Sequence, residues 1–269
     1  MSRINAYPGT LEVDGSDRFI VDGTTGTRSI TLSNLADNLL ETKSVIDHRN
    51  TWRGKYLGTG ITTEQNTAIA NGSFKNLFVG DYWTINNHTW RIIDINYFYN
   101  TGNASAFVAN HLVLTTDTSL YNTRMEGTDT TENGYGGSEM VSANLTDAIA
   151  AADNDFASYL AMIDDYRSEA SEVDGETILD GSWATVKVLL PNEISIFGVM
   201  HGMPEYTILS QQFAGFRLNP AYANIRINYW TRDIASDEEF VYVSAHGGVD
   251  AAPASTQYGV RPIIVIKSV

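Results

Sequence analysis

The stretch YWTRDIASDEEFVYVSAHGGVDAAPASTQYGVRPIIVIK, residues 229–267, holds two apolar runs, 239–244 and 260–267, on either side of a soft segment of Ala, Gly, Ser and Thr. Short runs rich in β-branched and aromatic residues, bounded by turn formers, read as strands, and Asp237-Glu238-Glu239 ahead of the first run reads as a hairpin tip. Upstream, LFVGDYWTINNHTWRIIDINYFY (77–99) predicts a hairpin turning at Asn86-Asn87, with Trp83 and Trp90 inside, and NHLVLTTD (110–117) predicts another strand. Helices lie between these strands. Thr62 or Thr63 caps a short one through Ile69, stopped by Asn71-Gly72. A longer one starts near Asn144, and its stripe Leu145, Ile149, Ala152, Phe156, Leu160 and Ile163 keeps helical spacing for about five turns. WATVKVLLPNEISIFG (183–198) reads as a strand broken at Pro191, with a short helix from Asn192. Hairpins and long irregular loops around a few helices give an α+β class with mostly antiparallel sheet.

The first residues follow a different plan. Val13-Asp14-Gly15 and Val21-Asp22-Gly23 set turns around the strand Phe19–Val21, and a second strand follows at 27–31. Ser33 then caps a helix of about three turns with Leu32, Leu35, Leu39 and Leu40 on one face. A helix that short is marginal by itself, so its leucines need a partner surface, either another copy or a larger particle. The expected organisation is therefore a docking and oligomerisation segment, 1–45, a glycine-punctuated linker, 46–61, and a globular head, 62–269.

Composition removes several function classes. With 43% apolar residues the chain can bury a real core. A formal charge of −15, with 17 basic residues scattered singly, leaves no electrostatic footprint for DNA or RNA. Zero cysteines exclude disulfide staples, zinc–thiolate sites and thiol nucleophiles. No apolar run reaches the roughly 20 residues of a membrane span, and the start of the sequence shows no secretory pattern.

Catalytic signatures are missing as well: there is no G-x-S-x-G, P-loop, H-E-x-x-H or G-x-G-x-x-G. His48, His88, His111, His201 and His246 are dispersed. Asp164-Asp165 falls within the long predicted helix, where adjacent side chains diverge by about 100 degrees, and reads as a solvated face. The acidic loop EGTDTTENG (126–134) lacks calcium-loop spacing. The expectation is a binding protein with no catalytic residue, no metal and no cofactor.

The ending carries a resemblance. Tyr229-Trp230-x-Arg232, the strand FVYVSAHGG (240–248) and Gly259-Val260-Arg261-Pro262 together resemble the close of C-type-lectin-like domains found in bacterial and phage proteins. The likeness spans about residues 50–269. It implies that Trp230 anchors the core and that Arg261 ties the last strand to its neighbour. DRFIVDGTTGTRSITLSNLADNLL (17–40) is similar to the leader of head-fibre or tail-associated structural proteins of Firmicutes phages.

These resemblances imply a virion surface protein on the capsid or tail exterior. It would be a homotrimer, docked on a capsid or tail protein through contacts of Phe19, Val21, Leu35, Leu39 and Leu40. Its lectin-like head would attach to a host surface glycan or protein. The display face is placed on the 244–258 loop, with Arg232, Tyr242, His246, Gln257 and Tyr258 as ligand-binding residues; small flexible residues between aromatics allow contact variation without disturbing the strands. Two alternatives stand beside this reading: a purely structural capsid decoration or cement protein, and an envelope-glycan hydrolase.

Overall fold

The computed structural model describes residues 18–23, 26–31, 45–173, 176–200 and 211–269. The chain divides into two compact units, Met1–Ser44 and Val45–Val269. In the first, β1 (Arg18–Gly23) and β2 (Gly26–Thr31) form an antiparallel hairpin, with Phe19 opposite Ile30 and Val21 opposite Arg28. The predicted leucine helix, with Leu35, Leu39 and Leu40, lies outside the described residues.

The second unit opens with α1 (Val45–Arg49), in the stretch expected to be a linker, and that expectation is corrected here. His48 is buried, its Nδ1 lies 2.8 Å from the Leu77 carbonyl, and its ring stacks on Phe78 at 4.1 Å. Two fully buried carboxylates supply the physical reason, because each needs a nearby cation. Arg49 Nε reaches Asp94 at 2.6 Å and Arg53 Nη2 reaches Asp81 at 2.6 Å. Glycines at 54, 58 and 60 gave this stretch a linker's look, but its arginines are pinned to the core.

The predicted helix cap is observed. Thr62 Oγ1 accepts from Gln65 N–H, and Gln65 Oε1 accepts from Thr62 N–H, at the start of α2 (Thr63–Ala70). The hairpin of β3 (Tyr82–Ile85) and β4 (His88–Ile95) turns at Asn86 and Asn87, with φ of 47° and 68°. Two successive left-handed residues match the twist of paired strands, and Asn tolerates that region. Trp83 faces Trp90 across the ladder, and both are fully buried.

β5 (His111–Thr116) is buried along its whole length, and the second unit's last strand, β14 (Ile263–Lys267), pairs with it antiparallel. One five-stranded sheet runs β3-β4-β5-β14-β9, where β9 is Val188–Leu189. The other runs β12-β11-β10-β13-β6, built from β6 (Asn122–Thr123), β10 (Tyr229–Ile234), β11 (Glu239–Val243), β12 (Val249–Pro253) and β13 (Tyr258–Gly259). Within this sheet the β10–β13 contact is parallel and the remaining pairings are antiparallel. Two apolar clusters result, and both sheets contribute to each: one gathers Trp83, Trp90, Ile264 and Trp230, the other Ile93, Val113, Val265 and Tyr229. Burial on both faces explains why β5 and β14 read as continuous apolar runs instead of alternating ones.

The long helix is shorter than its stripe predicts. A π-helical turn, Met140–Asn144, leads into α3 (Thr146–Phe156), and Ala157 at φ 43° ends it. Phe156 lies edge-on to Trp83 and Trp90. Leu160 bridges to Ile266, and Ile163 begins β7 (Ile163–Val173), which pairs only with β8 (Glu176–Val186) among the described residues. Sheet pairing overrides the last turn of helical spacing. Among the described residues the remaining α-helices are α4 (Glu193–Phe197), capped by Asn192, and α5 (Ala214–Leu218). No helix of the described residues is long and apolar enough to cross a membrane.

Candidate functional site

The residues expected to form a display face separate into three places. Tyr242 and Tyr258 meet, with ring centroids 4.4 Å apart, and both pack on Trp230. Register sets Asp250 of β12 directly across from Tyr242, and the Tyr242 hydroxyl lies 3.2 Å from its Oδ2. Burial, then Tyr258, then Asp250 all push the Tyr242 phenol above its ordinary pKa. His246 is exposed in the tight turn between β11 and β12, closed by Gly247 N–H to the Ser244 carbonyl at 2.8 Å, and Gln257 is exposed just before Tyr258. Residues 249–253 of the supposedly soft 244–258 loop are strand β12, paired in register with β11.

Arg232 belongs elsewhere. Its guanidinium is buried in an ion pair with Asp165. Burial works against the Arg232 charge, yet Asp165 beside it more than offsets this, and the pKa stands above its ordinary value. The solvated Asp164-Asp165 face is likewise corrected. On a strand, neighbours point to opposite faces. Asp164 accepts from Asn103 N–H and the Thr185 hydroxyl at the surface, while Asp165 turns inward. Trp230 donates from Nε1 to the Thr123 carbonyl at 2.9 Å. Arg261 donates from Nε to the Thr116 carbonyl at the end of β5, and stacks over Tyr222 at 4.5 Å, Tyr229 and Phe216.

The Asp165–Arg232 pair stands at the root of the β7–β8 ribbon. The glycine-rich loop before α3 docks against β7 there: Tyr135 N–H donates to Ser168 Oγ at 3.0 Å and Gly136 N–H to the Ser168 carbonyl at 2.6 Å. Two glycines make this approach possible. A Cβ on Gly134, whose φ is +64°, would stand 2.8 Å from the Ser168 backbone, and one on Gly136 would stand 2.9 Å from Arg167 Nε.

Between this root and α3 lies a cavity of about 260 Å3. Its apolar wall includes Leu145, Ile149, Met162, Val186 and Val188, and its polar groups are Tyr135, Asp165, Arg167, Thr185 and Lys187. On its other side, Asp165 also borders a much smaller cavity of about 30 Å3 beside Tyr97 and Phe213. The polar groups are paired before any ligand enters: Asp165 with Arg232, Arg167 with Glu169 at 3.4 Å, Lys187 with Asp153 at 2.8 Å. Burial, with the Asp165 charge adding to it, pushes the Tyr135 phenol up to about 12, so it stays neutral. Asp165 Oδ2 and Arg167 Nε are buried with no hydrogen-bond partner among the described residues. Among those residues no three His, Asp or Glu side chains gather as a metal ion would require.

Comparison of the chain with protein-family models, curated proteins and solved structures found no match. The site therefore rests on its own geometry. Sequence reading misses Asp165 and Arg167 because helical spacing continues past Phe156 through Leu160 and Ile163. The available signal was the Asp174-Gly175 dipeptide, which favours hairpin turns.

Proposed function

We propose that this chain is a phage virion surface protein, a head fibre or tail-associated adhesin, that presents a C-type-lectin-like head for attachment to a host surface. Residues 1–45 dock it on the particle and join three copies; the second unit binds. Recognition, and not chemistry, is the task of the head. The observation that carries this reading is the division at Ser44 and Val45 into two compact units, the larger with an apolar core of its own. A unit with its own core frees the leader for fastening, and copies held together on one particle gain avidity that no single head requires.

The test is to label purified virions with antibody to the protein and to measure binding of the purified full chain to host cells. Label on the particle exterior together with saturable cell binding supports the proposal. Virions without label overturn it, and label without cell binding turns the assignment to capsid decoration.

A further inference from the structure

We propose that Tyr242 and Tyr258 form an oxidative cross-linking site within the chain, at which a peroxide-class oxidant joins their rings as dityrosine. The proposal goes beyond the attachment role and does not depend on it.

Contact comes first. Among the described residues two pairs of tyrosine rings meet: Tyr242 with Tyr258, centroids 4.4 Å apart, and Tyr56 with Tyr82, 5.5 Å apart. The first stands at the close limit of aromatic pairs, which span about 4.5–7 Å. Trp230, fully buried, packs against both of its rings, at 6.2 and 4.9 Å. Burial, and then a hydrogen bond with the Tyr258 phenol, raise the Tyr242 pKa, so the two hydroxyls are neighbours as well. The ring carbons ortho to the hydroxyls, where phenoxyl radicals couple, are thereby brought close. Rings already held in contact react without the entropy cost of meeting.

The bond forms by balanced steps. Each phenol gives up one proton and one electron; the two radicals pair in a carbon–carbon bond between ortho positions, and the two ortho hydrogens shift to the oxygens and restore the phenols. The net loss is two protons and two electrons, which reduce one hydrogen peroxide to two waters. Asp250 Oδ2, 3.2 Å from the Tyr242 hydroxyl, is placed to take that phenol's proton. Tyr258 is half-buried beside exposed Ser255 and Gln257, which gives the oxidant a way in and the ring room to move. Tyr56 is the more exposed, at 49%, but the Arg91 guanidinium lies 4.6 Å from the centre of its partner Tyr82 and opposes loss of an electron there. In a chain without cysteine, the product is a covalent tie from β11 to β13 across β10.

The experiment irradiates the purified full chain with ruthenium tris-bipyridine and persulfate, a peroxide that accepts the two electrons as it splits into two sulfates. Isotope-labelled and unlabelled copies are mixed beforehand. Proteolysis after Asp250 separates Tyr242 from Tyr258 unless they are bonded. The expected product is that pair of peptides joined, two hydrogens lighter, with both halves carrying the same label. Tyr242→Phe and Tyr258→Phe keep the rings and should each lower dityrosine fluorescence about fivefold, whereas Tyr56→Phe should leave it unchanged. Asp250→Asn keeps the acceptor's size but cannot take the proton, and should slow formation about threefold. No dityrosine, a bond chiefly between Tyr56 and Tyr82 or between copies, or fluorescence untouched by both Tyr242→Phe and Tyr258→Phe overturns the proposal; a wild-type rate in Asp250→Asn overturns the part given to Asp250.

Discussion

His111 offers the sharpest test of the fold. It opens β5 fully buried, and its Nε2 accepts from Phe98 N–H at 3.0 Å. That acceptor role leaves the ring proton on Nδ1, which donates to the Ala109 carbonyl at 2.9 Å. A second proton would face an N–H group, and burial lowers the pKa from 6.5 to about 4. Depression in the folded state means that this stabilisation is complete above pH 6.5 and is lost as pH falls through about 4. A gap of about 2.5 pKa units is worth about 3 kcal/mol. The perturbation is His111→Gln, which keeps an acceptor near Phe98 but cannot titrate. Urea unfolding of both proteins from pH 7 to pH 4 isolates His111, because other titrating groups cancel in the difference. The stability advantage of the wild type should shrink by about 3 kcal/mol across that range. A difference constant within about 0.5 kcal/mol would refute both the burial and the tautomer argument.

Asp233 titrates in the opposite sense: burial raises it to about 6 from 3.8, so its contribution is full below about pH 4 and lost as pH rises through 6. Asp233→Asn should therefore gain about 2 kcal/mol on the wild type between pH 4 and pH 8 in the same urea assay. Asp155 accepts from Asn86 Nδ2, His88 Nδ1 and Trp90 Nε1 at 2.6–2.8 Å, so Asp155→Ala should cost about 3 kcal/mol, read as a lower urea midpoint with unchanged slope. Arg261→Met removes a cation stacked on three rings and bonded to Thr116 and Tyr229, and should lower stability by about 3 kcal/mol in thermal unfolding.

Local chemistry in the sequence was enough for the elements whose cause is local. Thr62 with Gln65, Asn86 with Asn87, and Asn192 ahead of α4 each specify a cap or turn within four residues, and each was legible. The paired tryptophans followed from the hairpin register. What escaped depends on partners far along the chain: Arg49 finds Asp94 across 45 residues, and Arg232 finds Asp165 across 67. No periodicity encodes such pairs, so sequence alone marks 46–61 as a linker and places Arg232 on a loop face. The end of α3 escaped for a related reason. Helical spacing at Leu160 and Ile163 is real, but β14 takes Leu160 and β8 takes Ile163.

β14 lies between β5 and β9 in the middle of its sheet, yet it is the final strand of its unit in chain order. During synthesis, the greasy flanks of β5 must wait for a neighbour that the ribosome makes about 150 residues later, an unusually long interval for a strand with both sides destined for the interior. Until then the nascent chain has a ready-made place for any foreign strand. A truncation that removes β14 would leave that gap permanently open.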